Sequence, residues 1–224
     1  MAFNHVEKIQ DAVPIRNVIV SVYDKSGLEN MLVALLRYCP GVRFYATGGT
    51  YSFIQQLLGE RSGAHLVDMT RYTGQPEMKG GLVKTLDWKI YLGLLAEPFD
   101  REHEADLARY DAVQFDMVIC NLYPFTQASG QADSFETARQ HIDIGGPTLL
   151  RAAAKNFLRV CPVPSPEYYA QIMQALEKNN GRLTLKDRIN MAEAVFERQS
   201  MYDTAIADYL RTQKENVAKT YTIV

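Results

Sequence analysis

Short β-branched runs that alternate with amphipathic helical stretches constrain the fold of this chain more than any other feature. Asn17 to Tyr23 reads NVIVSVY, a run of the kind buried in a parallel sheet, and it stops at the turn Asp24-Lys25-Ser26-Gly27. Leu28, Met31, Leu32, Leu35 and Leu36 then recur at helical spacing, and Pro40-Gly41 ends that helix before a second run, Val42 to Ala46. A βαβ unit follows from this order. Gly48-Gly49-Thr50 leads into a further amphipathic segment, Tyr51 to Leu58, and Leu66-Val67 closes a third strand, so a mainly parallel sheet with helices on its faces is expected. Met117 to Cys120 and Val160 to Val163 read as later strands, with a helix over Thr148 to Phe157 between them. Beyond Pro166 the pattern turns helical, over Tyr168 to Glu177 and Leu185 to Tyr209, whereas Lys214 to Val224 is weakly patterned and expected to be loosely held.

Composition removes several classes of function. With 224 residues, 47% hydrophobic, 22% charged and a net charge of -2, the chain has the profile of a soluble globular enzyme and no basic footprint for nucleic acid. No apolar stretch approaches the ~20 residues that span a bilayer, and Met1 to Gln10 lacks the pattern of a secretory signal, so a cytoplasmic protein without membrane partners is expected. Cys39, Cys120 and Cys161 are odd in number and far apart, which argues for buried thiols. His5, His65, His103 and His141 show no ligand spacing, so no metal is expected.

In an open α/β sheet, ligands gather at the carboxyl ends of the strands. Ser21 to Gly27 places Lys25 and two hydroxyls, Ser21 and Ser26, at a helix start. Thr47-Gly48-Gly49-Thr50 offers two glycines for close backbone approach and Thr50 as a cap for the next helix. Alone, the Gly-Gly-Thr turn reads as a plain helix cap; paired with the first turn on successive strands, it favours an anion. The long Gly- and Pro-rich connection from Met69 to Gly81 is of the sort kept for function. Tyr123 and Phe125 beside Pro124 read as a packed corner and Asp143 as a helix cap. Lys155, after Ala152 to Ala154 and before Asn156 and Phe157, is expected on a partly buried face with a carboxylate partner.

Taken in order, SVYDKSG, ATGGT, TGQPEMKGG, VKTL, CNLYPF, DIGGPTLLRAAAKN and QSMYDTAIADYL resemble the IMP cyclohydrolase half of the bifunctional AICAR transformylase/IMP cyclohydrolase family, from about Arg16 to Arg211. The resemblance implies a three-layer α/β, methylglyoxal-synthase-like domain with added C-terminal helices. Residues 1–15 would then be an N-terminal extension and 212–224 a tail. It also implies conversion of a formylated aminoimidazole carboxamide ribonucleotide to IMP, without a cofactor. Phosphate and ribose would fall to Tyr23, Asp24, Lys25, Thr47, Gly48, Gly49 and Thr50. The heterocycle would lie near Lys84, Thr85, Asn121, Tyr123, Asp143, Ile144, Gly145 and Lys155. Within that set, Lys84 is expected at a developing oxyanion, Asp143 polarising the carboxamide, and Lys155 with Tyr123 moving protons for water loss.

Leu82, Asp87, Trp88 and Tyr91 stand where the family has an arginine, a histidine-proline pair and a further histidine. Lys79 is expected to replace the lost arginine charge, and Asp87 to pair with Lys84 if the segment is helical. Because the chain stops after the cyclohydrolase-like region, formyl transfer is expected to fall to a separate polypeptide. The reading leaves room for a homodimer. Two rivals share the fold: a lyase acting on a triose phosphate, which lacks a matching histidine here, and a non-catalytic nucleotide-sensing module.

Overall fold

The computed structural model describes residues 5–75, 85–123, 125–130, 132 and 134–222. In chain order the elements are β1 (Val13–Pro14), β2 (Asn17–Val22), α1 (Leu28–Tyr38), β3 (Arg43–Ala46), α2 (Gly48–Leu58), α3 (Ser62–His65), β4 (Leu66–Asp68), α4 (Met69–Thr73), α5 (Trp88–Leu95) and α6 (Arg101–Arg109). They continue with β5 (Met117–Asn121), α7 (Phe125–Gly130), α8 (Phe135–Gln140), α9 (Gly145–Lys155), β6 (Cys161–Val163), α10 (Tyr169–Lys178), β7 (Arg182–Leu183) and α11 (Leu185–Thr220). Five strands form one sheet in the order β4-β3-β2-β5-β6, every neighbouring pair parallel. The chain starts at the centre with β2, winds outward through β3 and β4, then returns to the other side for β5 and β6. The switch point therefore lies between β2 and β5, the position at which such sheets open a crevice beyond their carboxyl ends. β6 contains Pro162 and is the edge strand, where a missing N–H is tolerated.

Alternation along β2 divides the core into two layers. Val18, Val20 and Val22 join a cluster with Leu28, Met31, Leu32, Leu35, Ile54, Ile172 and Leu176 on the face covered by α1, α2 and α10. Ile19 points the other way, into Tyr45, Ile90, Leu94, Leu149, Leu150, Ala192 and Val195 beneath α5, α9 and α11. Helices thus cover both faces, giving the three-layer α/β architecture expected from the sequence.

Two segments depart from the sequence reading. Within the residues expected as an N-terminal extension, β1 pairs antiparallel with β7, Val13 facing Leu183. The stretch expected to be loose from Lys214 onward continues α11 to Thr220, and the Tyr221 hydroxyl donates to Glu136 while its ring meets Phe135. A weak apolar pattern misled there because α11 is anchored by aromatic contacts, Phe125 and Phe135 against Tyr209, rather than by a continuous stripe. Its start is firmly specified: Thr184 Oγ1 accepts from Asp187 N at 3.2 Å and Asp187 Oδ2 accepts from Thr184 N at 2.9 Å, a complete capping box.

Candidate functional site

At the switch point the loop after β2 is held by the strand beside it. Asn121, the last residue of β5, accepts the N–H groups of Tyr23 and Asp24 on Oδ1, both at 2.8 Å, and donates from Nδ2 to the Asp24 carbonyl at 2.7 Å. The Ser26 hydroxyl and backbone N–H hold the Asp24 carboxyl below the ordinary carboxylate range. Gly27 adopts φ 70°, a left-handed turn open to glycine, and starts α1. The loop is therefore fixed by its own and neighbouring backbone. It borders a cavity of about 1180 Å³ whose wall includes Tyr23, Asp24, Lys25, Asn121 and Tyr123 from the sheet side, and Arg198, Gln199 and Tyr202 from α11. Tyr23 and Tyr123 are half-exposed and meet at 4.6 Å between centroids, a tilted aromatic pair at the loop.

A second cavity, of about 800 Å³, is bordered by Asp143, Ile144 and Lys155, with Tyr91, Arg151 and Phe196 among the rest. Asp143 is placed twice over: its backbone N–H donates to the Tyr202 hydroxyl at 2.8 Å, and its Oδ1 accepts from Gly146 N at 3.0 Å. Burial pushes its carboxyl up, against the N–H groups of Gly146 and Gly145. The two glycines that follow answer to packing. A Cβ on Gly146 would lie 2.6 Å from Asp143 Oδ2 and from Leu122 Cδ2, and one on Gly145 would lie 2.9 Å from Thr85 Oγ1. α9 thus begins in close contact with both Thr85 and the Asp143 carboxylate.

The expected residues are distributed unevenly. Tyr23, Asp24, Lys25, Asn121 and Tyr123 share the first cavity; Asp143, Ile144 and Lys155 share the second; Thr85 and Gly145 meet at the start of α9. Ser21, Thr47, Gly48, Gly49 and Thr50 border neither cavity. Thr50, expected as a cap, is buried and exchanges hydrogen bonds with the backbone of Val22, so its hydroxyl joins α2 to the central strand. The glycines of that turn remain exposed, Gly48 at φ 51° and Gly49 with open space where a side chain would be. Lys79, Lys84 and Leu82 lie outside the described residues.

Two further expectations are corrected, those for Lys155 and for the corner at Tyr123. Lys155 is exposed and makes no ion pair among the described residues, because the buried polar position belongs to the next residue, Asn156, whose Nδ2 donates to the carbonyls of Leu94 and Ala96. Asp87 caps α5 by accepting from Lys89 N at 2.8 Å, while its expected pairing with Lys84 falls outside the described residues. The packed corner keeps Phe125 buried but leaves Tyr123 exposed. Arg198, Gln199 and Tyr202 were overlooked by residue-type reasoning. Their signal was QSMYD, a motif that follows Arg198 on an otherwise ordinary helix.

Among the described residues, Glu97, Asp100 and His103 form one group with metal-ligand atoms within 4.8 Å of each other. Its parts serve the start of α6 instead: Asp100 accepts from the N–H groups of Glu102 and His103, and His103 Nδ1 accepts from Glu97 N. All three cysteines are buried; burial raises the thiol of Cys39 to about 12 and pushes Cys120 and Cys161 up as well, so none is poised as a nucleophile.

Comparison with known proteins divides the chain into two blocks. Residues 31–148 match the MGS-like domain, and residues 153–224 match the AICARFT/IMPCHase bienzyme. The bifunctional purine biosynthesis protein PurH of Rhodopirellula baltica is 42% identical over 205 residues, covering 91% of this chain and 38% of that protein. The protein of the same name from Xanthomonas campestris pv. campestris is 39% identical over 201 residues, covering 89% and 36%. The chain thus spans less than two fifths of the length of the curated relatives it matches. Among solved structures, the crystal structure of ForH superposes with a TM-score of 0.70 at 30% identity, over 86% of this chain and 95% of that one. The chain belongs to the MGS-like domain family, and its last third matches the AICARFT/IMPCHase bienzyme model.

Proposed function

We propose that this chain is an IMP cyclohydrolase that closes the six-membered ring of 5-formamidoimidazole-4-carboxamide ribonucleotide (FAICAR) to give IMP and water. The carrying observation is the pair of cavities that meet at Gln199 and Tyr202 on α11: one gathers Lys25, Asn121 and Tyr123 at the carboxyl end of the sheet, and the other runs along α9 from Asp143 at that end to Lys155. The kinship with purine biosynthesis proteins supports the same reading.

Ring closure asks three things of the protein. The formamido group must be held against the carboxamide, whose nitrogen adds to the formyl carbon; the oxygen of that carbon must be stabilised as it gains charge; and it must leave as water after accepting protons. In this reading the Tyr23 to Lys25 loop binds the phosphate and ribose, with the Thr47 to Thr50 turn alongside. Asp143 accepts a hydrogen bond from the carboxamide N–H and so raises its nucleophilicity. Lys84, assisted by Lys79, stabilises the oxyanion. Lys155 and Tyr123 deliver the protons, and the exposure of both lets them exchange with solvent between turnovers. No step draws on a cofactor. Residues 16–211 form the functional unit, and a transformylase activity supplies the formylated substrate.

The test is direct. Purified protein incubated with FAICAR should generate the ultraviolet absorbance of hypoxanthine. Binding of IMP without any absorbance change would replace the enzyme with a nucleotide-sensing module of the same fold.

A further inference from the structure

Among the described residues, only Gln199 and Tyr202 border both cavities, and they differ in how their polar atoms are used. The Tyr202 hydroxyl is engaged with Asp143 N and the carbonyl of His141. Gln199 is 2% exposed, yet neither Oε1 nor Nε2 has a hydrogen-bond partner among the described residues. Such an amide is out of character for this molecule. Asn156, buried to a similar degree, donates two hydrogen bonds, and Arg188, wholly buried, donates five. A buried donor and acceptor left open together mark a place that something else completes.

We infer that Gln199 is a specificity-determining residue that reads the amide edge of the nucleotide base. This rests on the ring-closure reading and deepens it. A side-chain amide presents an acceptor and a donor side by side in one plane, so its complement is a group presenting a donor and an acceptor side by side. The primary carboxamide of the open-chain substrate has that pattern, and the N–H and carbonyl of the closed lactam keep it. One residue can therefore hold the same edge before and after closure and fix the rotation of the carboxamide toward the formyl carbon. Rotation of the Gln199 side chain from the wall into either cavity brings its amide to a ligand that spans the two.

The experiment compares wild type with Gln199→Leu and Gln199→Met by calorimetric titration of IMP and of purine riboside 5′-monophosphate, which lacks the carbonyl and N–H of the lactam. AMP is a poor control, because an amide that flips can meet its amino group. Wild type should prefer IMP by roughly tenfold or more, and both variants should bind the two nucleotides within about threefold of each other. The variants should keep the wild-type affinity for the unsubstituted nucleotide and melt no lower than wild type, since an unpartnered amide has been removed. A preference retained in both variants overturns the inference, as does an equal loss for both ligands or a wild type without preference. If wild type catalyses ring closure and the preference is unmoved, the inference about Gln199 fails alone; if wild type binds neither nucleotide, the ring-closure reading fails with it.

Discussion

At the amino-terminal end of the sheet, Asp116 accepts the N–H groups of Arg16 and Asn17 at 2.8 Å each and pairs with Arg159, whose other nitrogen donates to the carbonyl of Phe115. Beside them Arg188 spends all five of its donors on the carbonyls of Phe157, Asp11, Leu183, Gln10 and Leu158. Toward the carboxyl end, among the described residues, Gln199 keeps a donor and an acceptor open and the Arg198 Nε is buried without a partner. Asp116 and Arg188 are saturated by the fold itself, whereas the Gln199 amide and the Arg198 Nε have no partner among the described residues. The difference teaches where to look for stability and where for function.

The largest test of that contrast is Arg188→Leu. It leaves five carbonyls, from Leu183 in the core to Gln10 and Asp11 at the surface, without their donor and should cost about 3–5 kcal/mol, read as a lowered urea midpoint, while the protein that remains folded binds IMP as wild type does. A variant of near-native stability would show that saturation at this end is incidental. Next in size, Lys155→Ala should lower the rate of ring closure by about 100-fold with IMP affinity nearly unchanged. Equal loss of rate and affinity would move Lys155 from proton handling to binding. Lys25→Ala should weaken IMP by about tenfold and leave inosine unchanged, because only the former carries the phosphate. Parallel losses for nucleotide and nucleoside would place the phosphate elsewhere.

The smallest expected effect is electrostatic. Burial raises the folded-state pKa of Asp143 above its model-peptide value of 3.8, so its contribution to stability is full below 3.8 and is lost as pH rises through the folded value. Asp143→Asn removes that titration. The stability of the variant relative to wild type should therefore rise across this acidic window, as followed by thermal melts at closely spaced pH. A flat difference would mean that the N–H groups of Gly146 and Gly145 already offset burial.

Much of the fold could be read before the structure, because its signals are local. The run NVIVSVY, the spacing of Leu28, Met31, Leu32 and Leu35, and the break at Pro40-Gly41 lie within a few turns of chain, and each became the element expected. The site was legible by residue type but not by arrangement. Asn121 earned its place through a motif, yet its bonds reach 97 and 98 residues back to Tyr23 and Asp24, a separation at which no spacing rule operates. Lys155 misled for a related reason. Three buried alanines precede it, but a helix turns 100° per residue, and the inward position after them fell to Asn156. Gln199 gave no local sign, since an amide on a long helix is ordinary until the helix is packed.

The 36 residues of α11 form one uninterrupted rod, with Arg188 seated at the closed end of the sheet and Gln199 between the two cavities at the open end. Eleven helical steps separate them, about 16 Å along the axis. Side chains along this stretch can change more freely than its length. A single inserted or deleted residue between Arg188 and Gln199 rotates everything beyond it by about 100° and shifts it by about 1.5 Å, so one of the two must leave its socket. Evolution of the site is thereby confined to substitution on a helix of fixed register, and loops elsewhere are left to absorb changes in length.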